Sequence, residues 1–491
     1  MEFKHILKKI FLKDPYTPAF WLSMGLIIKG ALFLGVVLNH PYHDIAGIWG
    51  ATMGDDSSYI VPIDNLLKHG AYSPDYRMPG YGAVYLLFRL FLQPAGACNL
   101  LLILQLILAS ASVYYLALTA KCIFKKDSVF YAVFYLFLFS SFSNFFDAYI
   151  GSESLCTSLL IFSVYFFTKF YQDKKEKYMF FAGLFASWAI FTRPVFIGLL
   201  AICGLLLLFQ KSTNFKTKTK SIFLFLIVFI ICEGSWIYRN YKTHKEFLPA
   251  TTSGEFYPED VASYLQPLFE FTQSWGGVCT LTNRPPDIDW FQYHYTGQSP
   301  ITQYDSLPDN IYTSAYNKDS LLRLKKMIKA LQNPSIDKVT ASTYQLKLQT
   351  KFTQYRLAFK REKPFVYYIK APLKMMRAML YNNLTKNYLD RGQSMPVLGS
   401  FITASNYLIY LTIVLSGLIG LVTLTINGIK MWSPLLVIPF IPLYVLLVHP
   451  FIFRFFDARF LMPAFPFIIV CSAYVLVELG ERILSLSIRP R

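Results

Sequence analysis

Long apolar runs separated by short polar loops dominate this 491-residue chain. A helix needs about 20 apolar residues to cross a bilayer, and runs near or above that length recur along the sequence. The pattern predicts ten transmembrane helices, at about 18–38, 95–119, 128–146, 154–171, 178–191, 194–210, 220–238, 401–427, 433–449 and 461–481. The predicted fold is therefore an all-α polytopic membrane protein.

Lysines cluster in the short loops that fall on one side of the membrane if all ten runs cross it. They occupy the N-terminus, 121–127, 172–177 and 210–220, and arginines end the chain. Short basic loops face the cytoplasm, so both termini are expected there and residues 39–94 form the first outer loop. The basic N-terminus has no small-residue cleavage site, so the first run is expected to stay as an anchor.

The predicted spans divide the chain into a seven-span module at 1–238, an extracytoplasmic segment at 239–400 and a three-span module at 401–491. The outer segment is rich in turn residues over 239–315 and has helical periodicity over 316–400. Its helices are amphipathic and basic, which fits either an interfacial helix on the membrane or a helix packed on its own domain.

An apolar run too short to cross the bilayer comfortably lies at 79–93, "PGYGAVYLLFRLFLQ". If it were counted as a span, every later loop would fall on the opposite side of the membrane, and the lysine-rich loops would no longer share one side. It is therefore predicted to be an interfacial or re-entrant helix.

Composition narrows the choice of partners. Hydrophobic residues make up 54% of the chain and charged residues 15%, and the net charge is +18. Most of the chain lies in lipid, so a nucleic-acid-binding protein is not indicated. The excess of positive charge suggests contact with anionic lipid or with a phosphate-bearing substrate. The seven cysteines lie mostly in or beside apolar runs and indicate no disulfide framework.

The first outer loop carries paired carboxylates in "GDDSSYIVPIDNLLKHG". Apolar residues from Tyr59 onward recur at helical spacing, and Gly70 supplies a stop. Asp55 and Asp56 therefore stand at the start of a short amphipathic helix. Capping that helix would explain one of the two aspartates but not both.

A second acidic position and several arginines follow on the same face. Glu153 lies at the mouth of a predicted span in "FFDAYIGSESL", while Asp147 is expected to be a plain loop residue. Helix capping is the alternative for Glu153, and interfacial snorkelling is the alternative for Arg193. The arginines in question are Arg77, Arg193, Arg239 and Arg459.

Acids and arginines at a membrane surface suit transfer of a sugar from a lipid phosphate. A carboxylate can take the proton of the attacking hydroxyl, and arginines can stabilise the departing phosphate. Because phosphate is already a good leaving group, no second carboxylic acid is needed, unlike in glycoside hydrolysis.

The ordered series of motifs resembles the GT-C superfamily of membrane glycosyltransferases. It is most similar to the branch of protein O-mannosyltransferases and the lipid A aminoarabinose transferase. The series is "DDSSY", "RMPGY", "GSESL", "TRP", "RNYKTHKEFLPATTSGEFY" and "ARFLMPAFPF". The resemblance covers most of 1–260 and the last 40 residues, but not 260–400.

The resemblance implies an inverting transferase of the bacterial inner membrane, with its site facing the periplasm or outside. The donor is a polyprenyl-phosphate-linked sugar and the acceptor is a glycan, lipid or protein. The implied catalytic residues are Asp55, the expected base, with Asp56 and Glu153; the implied residues for donor phosphate or lipid are Tyr59, Arg77, Tyr81, Arg193, Arg239 and Arg459.

The chain departs from the pattern in having a second aspartate where many relatives have glutamate. It also has Ser57 and Ser58 where some relatives have a basic residue. A divalent cation near His40, His43 and Asp44 is an alternative, but their spacing fits no strong ligand motif, and no cofactor is predicted. The competing functions are a lipid-linked glycan ligase or polymerase and a lipid-sugar flippase. Transporters usually contain two repeated halves, and the sequence shows no such repeat.

Overall fold

The structure is a computed structural model that describes most of the chain. The described residues are 17–39, 47–51, 55–75, 77–210, 214–250, 263–277, 290–291, 307, 309–333, 335–381, 396–454 (side chains from 404) and 457–487. The chain divides into two compact units. The first comprises Met1–Gly254, Asn383–Leu443 and Met462–Arg491, and the second comprises Glu255–Asn382 and Tyr444–Leu461.

Helices make up the regular structure of the described residues, which contain isolated β-bridges but no strand. The α-helices are α1 Pro18–Asn39, α2 Ser57–His69, α3 Gly82–Arg89, α4 Pro94–Phe124, α5 Asp127–Leu138, α6 Ser141–Asn144, α7 Ser152–Asp173, α8 Glu176–Thr192, α9 Gly198–Leu208, α10 Phe215–His244, α11 Leu265–Gln273, α12 Lys318–Leu331, α13 Lys338–Glu362, α14 Ala371–Tyr381, α15 Pro396–Met431, α16 Val437–Leu447, α17 Ala458–Leu461 and α18 Phe465–Ser487. Short 3₁₀ turns occur at Phe145–Ala148, Pro194–Ile197, Asp309–Ile311, Pro434–Leu436 and Met462–Ala464, and π turns at Val366–Lys370 and Val448–Phe453.

Seven helices within the described residues are long and apolar enough to cross a membrane. They are Pro18–Leu38, Pro94–Phe124, Ser152–Asp173, Phe215–His244, Ala404–Met431, Pro434–Phe453 and Ala458–Leu486. Asp127–Leu138 and Ser141–Ala148 together form an eighth candidate, bent by 50°. The prediction of an all-α polytopic membrane protein is confirmed.

The two remaining predicted spans, 178–191 and 194–210, are helical but short. Pro194 disfavours helical backbone at the residue before it, so the apolar run divides into α8, of 17 residues, and the apolar helix Pro194–Leu208. For these two segments a full crossing stays a prediction.

The second unit has a core of its own. Its buried residues come from α11, α12, α13 and the segments between them, and include Phe271, Phe291, Leu324, Phe352 and Phe359. Most aromatic rings of this core pack edge-on or tilted, as in Phe271 against Trp275, with centroids 4.6 Å apart, while Tyr316 and Tyr355 are stacked.

A buried ion pair ties α1 to the bend between α5 and α7. Lys29 Nζ lies 2.6 Å from Asp147 Oδ2 and 2.8 Å from Asn144 Oδ1. Ser154 donates a hydrogen bond to the other carboxylate oxygen. The charged side chains are 1% and 4% exposed, so the expectation that Asp147 is a plain loop residue was wrong. A charge buried at this depth needs a partner, and the pair therefore fixes the bend.

The bend in turn holds the chain just before the acidic pair. Ala51 N donates to the Ala148 carbonyl at 2.9 Å, and Ile150 N donates to the Ala51 carbonyl at 3.1 Å. Ala51, four residues before Asp55, is thus fixed next to the start of α7.

Breaking the buried pair should destabilise the protein. We expect Lys29→Met or Asp147→Leu alone to lower the free energy of unfolding by about 3–5 kcal/mol, because each leaves the opposite charge buried without its partner. The double variant should lose less than the sum of the two. Thermal unfolding in detergent measures this.

Lys121→Met is the matched control, since the pair Lys121–Asp127 is partly exposed and should contribute about 1 kcal/mol or less. Single variants at Lys29 and Asp147 that unfold like this control would contradict a stabilising role for the buried pair.

Candidate active site

Asp55 and Asp56 stand directly before α2, as predicted. Gly70 ends the helix in the left-handed conformation, with its N–H bonded to the Leu66 carbonyl. Asp56 occupies the N-cap position, yet its carboxylate makes no capping hydrogen bond and is buried, at 4% exposed. The Asp55 side chain is 27% exposed. Helix capping therefore does not account for Asp56, and Asp55 is the more accessible acid of the two.

Arg77 lies against the start of α2 and contacts Asp55 before the helix and two residues within it. Its Nη2 is 3.3 Å from Asp55 Oδ2, and its Nε donates to Ser58 Oγ at 3.2 Å. The guanidinium lies over the ring of Tyr59, 5.2 Å from the centroid. Tyr72 donates to the Arg77 carbonyl at 3.0 Å. The arginine is thus oriented from several sides while 26% of its side chain stays exposed.

Ser152, the first residue of α7, connects α2 to the second acidic position. Tyr59 donates its hydroxyl to Ser152 Oγ at 2.9 Å, and Arg193 Nη1 donates to the same oxygen at 3.3 Å. Arg193 also forms an ion pair with Glu153 at 2.7 Å, in which the side chains are 12% and 9% exposed. A buried network therefore joins Tyr59, Glu153 and Arg193, which are far apart in sequence.

Gly80 brings the "RMPGY" segment against the end of α8. Its N–H donates to the Phe191 carbonyl at 3.0 Å, and Trp188 Nε1 donates to the Gly80 carbonyl at 3.0 Å. A Cβ at this position would collide with the backbone of Phe191 and Thr192. Only glycine permits this approach, which places the segment beside the helix end that carries Arg193.

Tyr81 is fully buried and acts as a spacer between the two acidic regions. Its ring packs on Tyr59 with centroids 5.0 Å apart, and its hydroxyl accepts from Gly151 N at 3.1 Å. Burial raises the pKa of Tyr81 well above its usual value, so the hydroxyl stays neutral and can donate to Gln105. Its position indicates packing rather than direct contact with a donor phosphate.

Arg239 is engaged near the C-terminal end of α10, where it holds the loop after α2. It donates to Asp75 Oδ2 at 2.5 Å and to the Tyr72 carbonyl at 2.8 Å, and His244 Nε2 lies 2.7 Å from the same aspartate oxygen. Burial raises the pKa of Tyr72, an effect that Arg239 partly opposes. The tyrosine therefore stays a neutral donor to Arg77.

Arg459 belongs to the second unit. Its Nε lies 3.4 Å from Asp457 Oδ2, and its backbone N–H donates to Asp457 Oδ1 at 3.1 Å. The possible metal ligands His40, His43 and Asp44 lie outside the described residues. Among the residues that are described, no group of three or more His, Cys, Asp and Glu is placed to hold a metal ion.

Residues 84–238 match the family model of the dolichyl-phosphate-mannose-protein mannosyltransferases. The resemblance to the GT-C superfamily is therefore confirmed, and the match indicates a membrane glycosyltransferase of the GT-C type. Comparisons with curated proteins and with solved structures gave no significant match.

The matched region contains Glu153 and Arg193, whereas Asp55 and Arg77 precede it. The contacts through Tyr59 and Ser152 connect the two parts. The structure thus joins the acidic pair physically to the region that carries the family likeness.

Several residues of the site had no assigned role in the sequence interpretation. Ser58 stands where some relatives have a basic residue, and Ser152 occurs in the sequence only as a neighbour of Glu153 in "GSESL". Gln105 donates to the carbonyls of Phe146, Asp147 and Tyr149, and no motif marks it. The only available signal was a polar residue inside an otherwise apolar span, as for Gln105 in "LLILQLILA".

Gly151 should be essential for the position of Glu153. A Cβ at Gly151 would lie 2.7 Å from Glu153 Oε2, so we expect Gly151→Ala to displace the carboxylate from Arg193 and to lower transferase activity. Activity in membranes, compared at equal protein amount, measures this.

Gly204→Ala is the matched control, because a Cβ there meets no atom within 4 Å. If the Gly151 and Gly204 variants are equally active, the prediction is wrong, because a Cβ at Gly151 then does not disturb Glu153.

Proposed function

We propose that the chain transfers a sugar from a polyprenyl-phosphate-linked donor to a hydroxyl group of an extracytoplasmic acceptor, with Asp55 as the general base. The observation that supports this most is the exposed pair Asp55–Arg77, in which a carboxylate and a guanidinium lie 3.3 Å apart. The pair supplies a proton acceptor and a phosphate ligand at one place, and both side chains are about a quarter exposed.

The proposed reaction is a single inverting displacement. The acceptor oxygen attacks the anomeric carbon, and its proton passes to the Asp55 carboxylate as the new C–O bond forms. The bond from the anomeric carbon to the phosphate oxygen breaks, and its electron pair leaves with the polyprenyl phosphate. Because phosphate leaves as a stabilised anion, one carboxylate base is sufficient.

Arg77 is the proposed ligand of the departing phosphate. A guanidinium presents several N–H donors in a plane, and it binds phosphate oxygens more strongly than neutral donors do. Ser58 and Tyr59 orient the arginine from the side of α2. When phosphate binds, it competes with Asp55 for Arg77, which would free the carboxylate to accept a proton.

Glu153 and Arg193 are proposed to position the site rather than to react. They pair with each other at 2.7 Å and are largely buried, so neither charge is readily available to a substrate. Asp56 is buried next to the base and is proposed to support its orientation. Arg239 is assigned to holding the loop through Asp75.

Removing the proposed base should abolish most of the activity. We expect Asp55→Asn to lower the rate of sugar transfer by roughly 10²–10⁴-fold, the usual contribution of a general base. Asp64→Asn is the matched control, since Asp64 lies on α2, the helix that Asp55 precedes, and pairs with Arg89. Transfer from polyprenyl-phosphate sugars in membranes measures both.

Undiminished transfer by Asp55→Asn would refute the assigned base. If lipid-sugar translocation occurs but no sugar is transferred by the unchanged protein, the flippase alternative is favoured instead.

Loss of the proposed phosphate ligand should act on donor binding as well as on rate. We expect Arg77→Gln to raise the KM for the donor by about 10-fold or more, because a charge-assisted hydrogen bond contributes about 1.5–3 kcal/mol. Arg89→Gln removes an arginine of similar burial from the same region and should leave the donor KM near its original value.

If Arg77→Gln leaves both the donor KM and the activity unchanged, residues other than Arg77 bind the donor phosphate.

A further inference from the structure

A second surface of the molecule has no role in the proposed transfer reaction. In the second unit, residues 364–381 form a helix that begins before the π turn Val366–Lys370 and continues through α14. One side of α14 is buried, through Ala371, Met375 and Met379 among others. The opposite side faces away from the protein.

The exposed side carries large apolar residues at helical spacing. Phe365 is 69% exposed, Ile369 43% and Leu373 45%, and these three residues are four positions apart. Tyr368, beside them, is 49% exposed. A contiguous exposed apolar patch of this kind marks a surface that binds another apolar phase or partner.

The same side is strongly basic. Lys370, Lys374 and Arg377 are exposed on it, and Lys360 and Arg361 are exposed just before it. Glu362 is the single acid in 360–381, and its carboxylate is occupied by the backbone N–H and hydroxyl of Ser314. Glu362 also lies 3.9 Å from Arg361, so it offsets part of the charge before the π turn, and the segment from Val366 to Tyr381 contains no acidic residue.

We propose that this basic amphipathic surface, residues 360–381, lies at the membrane interface and binds the phosphates of anionic phospholipids. Aromatic and aliphatic residues beside lysines and arginines on one helix are the combination that inserts at the headgroup boundary. The charge selects an anionic lipid surface over a neutral one. The exposed apolar residues alone would also fit a second copy of the chain. A second copy carries the same positive charge on this surface, however, and would be repelled.

Site-directed quenching in vesicles tests this proposal. A fluorescent amino acid is placed at Phe365 of the full-length protein, which is then reconstituted with a lipid that carries a quencher near its headgroup. The matched position is Lys347, which is exposed on α13. We expect the probe at Phe365 to be quenched several-fold more than the probe at Lys347.

The charge requirement is tested in the same assay. We expect quenching at Phe365 to be stronger in phosphatidylcholine vesicles that contain phosphatidylglycerol than in phosphatidylcholine alone. The increase should disappear when Lys370→Gln, Lys374→Gln and Arg377→Gln are combined. Because these side chains are exposed, the variant should keep the thermal unfolding of the parent protein.

Three results would overturn the proposal. One is equal quenching at the two positions, and another is an increase that persists in the triple variant. The third is a Phe365 signal that depends on the number of protein copies per vesicle, which would assign the surface to self-association.

Discussion

The ion pair between Arg193 and Glu153 is the contact on which the arrangement of the site depends. Its two charges are almost completely removed from solvent, and a buried charge without a partner is strongly destabilising. The pair therefore fixes the end of α8 against the start of α7. Ser152 Oγ accepts hydrogen bonds from both Arg193 and Tyr59, so the same ion pair also determines the position of α2.

The second arginine–carboxylate pair of the site differs from the first in exposure, and this difference separates their roles. Asp55 and Arg77 lie where water still screens their attraction, and the proposed reaction exchanges this weak pair for the donor phosphate. The buried pair of Arg193 and Glu153 is costly to open. In the proposed reaction the buried pair holds the geometry of the site while the more exposed pair binds the charged donor.

Much of the fold could be read from the sequence, because apolar runs and helix breakers act locally. Gly70 ends α2 and Pro194 divides the run 176–208, as their backbone preferences require. The pairing of Lys29 with Asp147 could not be read, since it joins residues 118 positions apart and leaves no periodic signal. The same holds for Ser152, whose role depends on partners from two other helices. The acids and arginines of the site were recognisable as residue types, but their assignment as exposed or buried needed the tertiary structure.

The most direct test of this account is a structure of the protein with bound polyprenyl phosphate, the product of the proposed donor. We predict that a phosphate oxygen lies within hydrogen-bond distance of the Arg77 guanidinium and that the separation of Arg77 from Asp55 increases beyond 3.3 Å. The pair Arg193–Glu153 should be unchanged. A phosphate bound elsewhere, with the Arg77–Asp55 contact intact, would contradict the central claim that this pair is the donor-binding and proton-accepting centre.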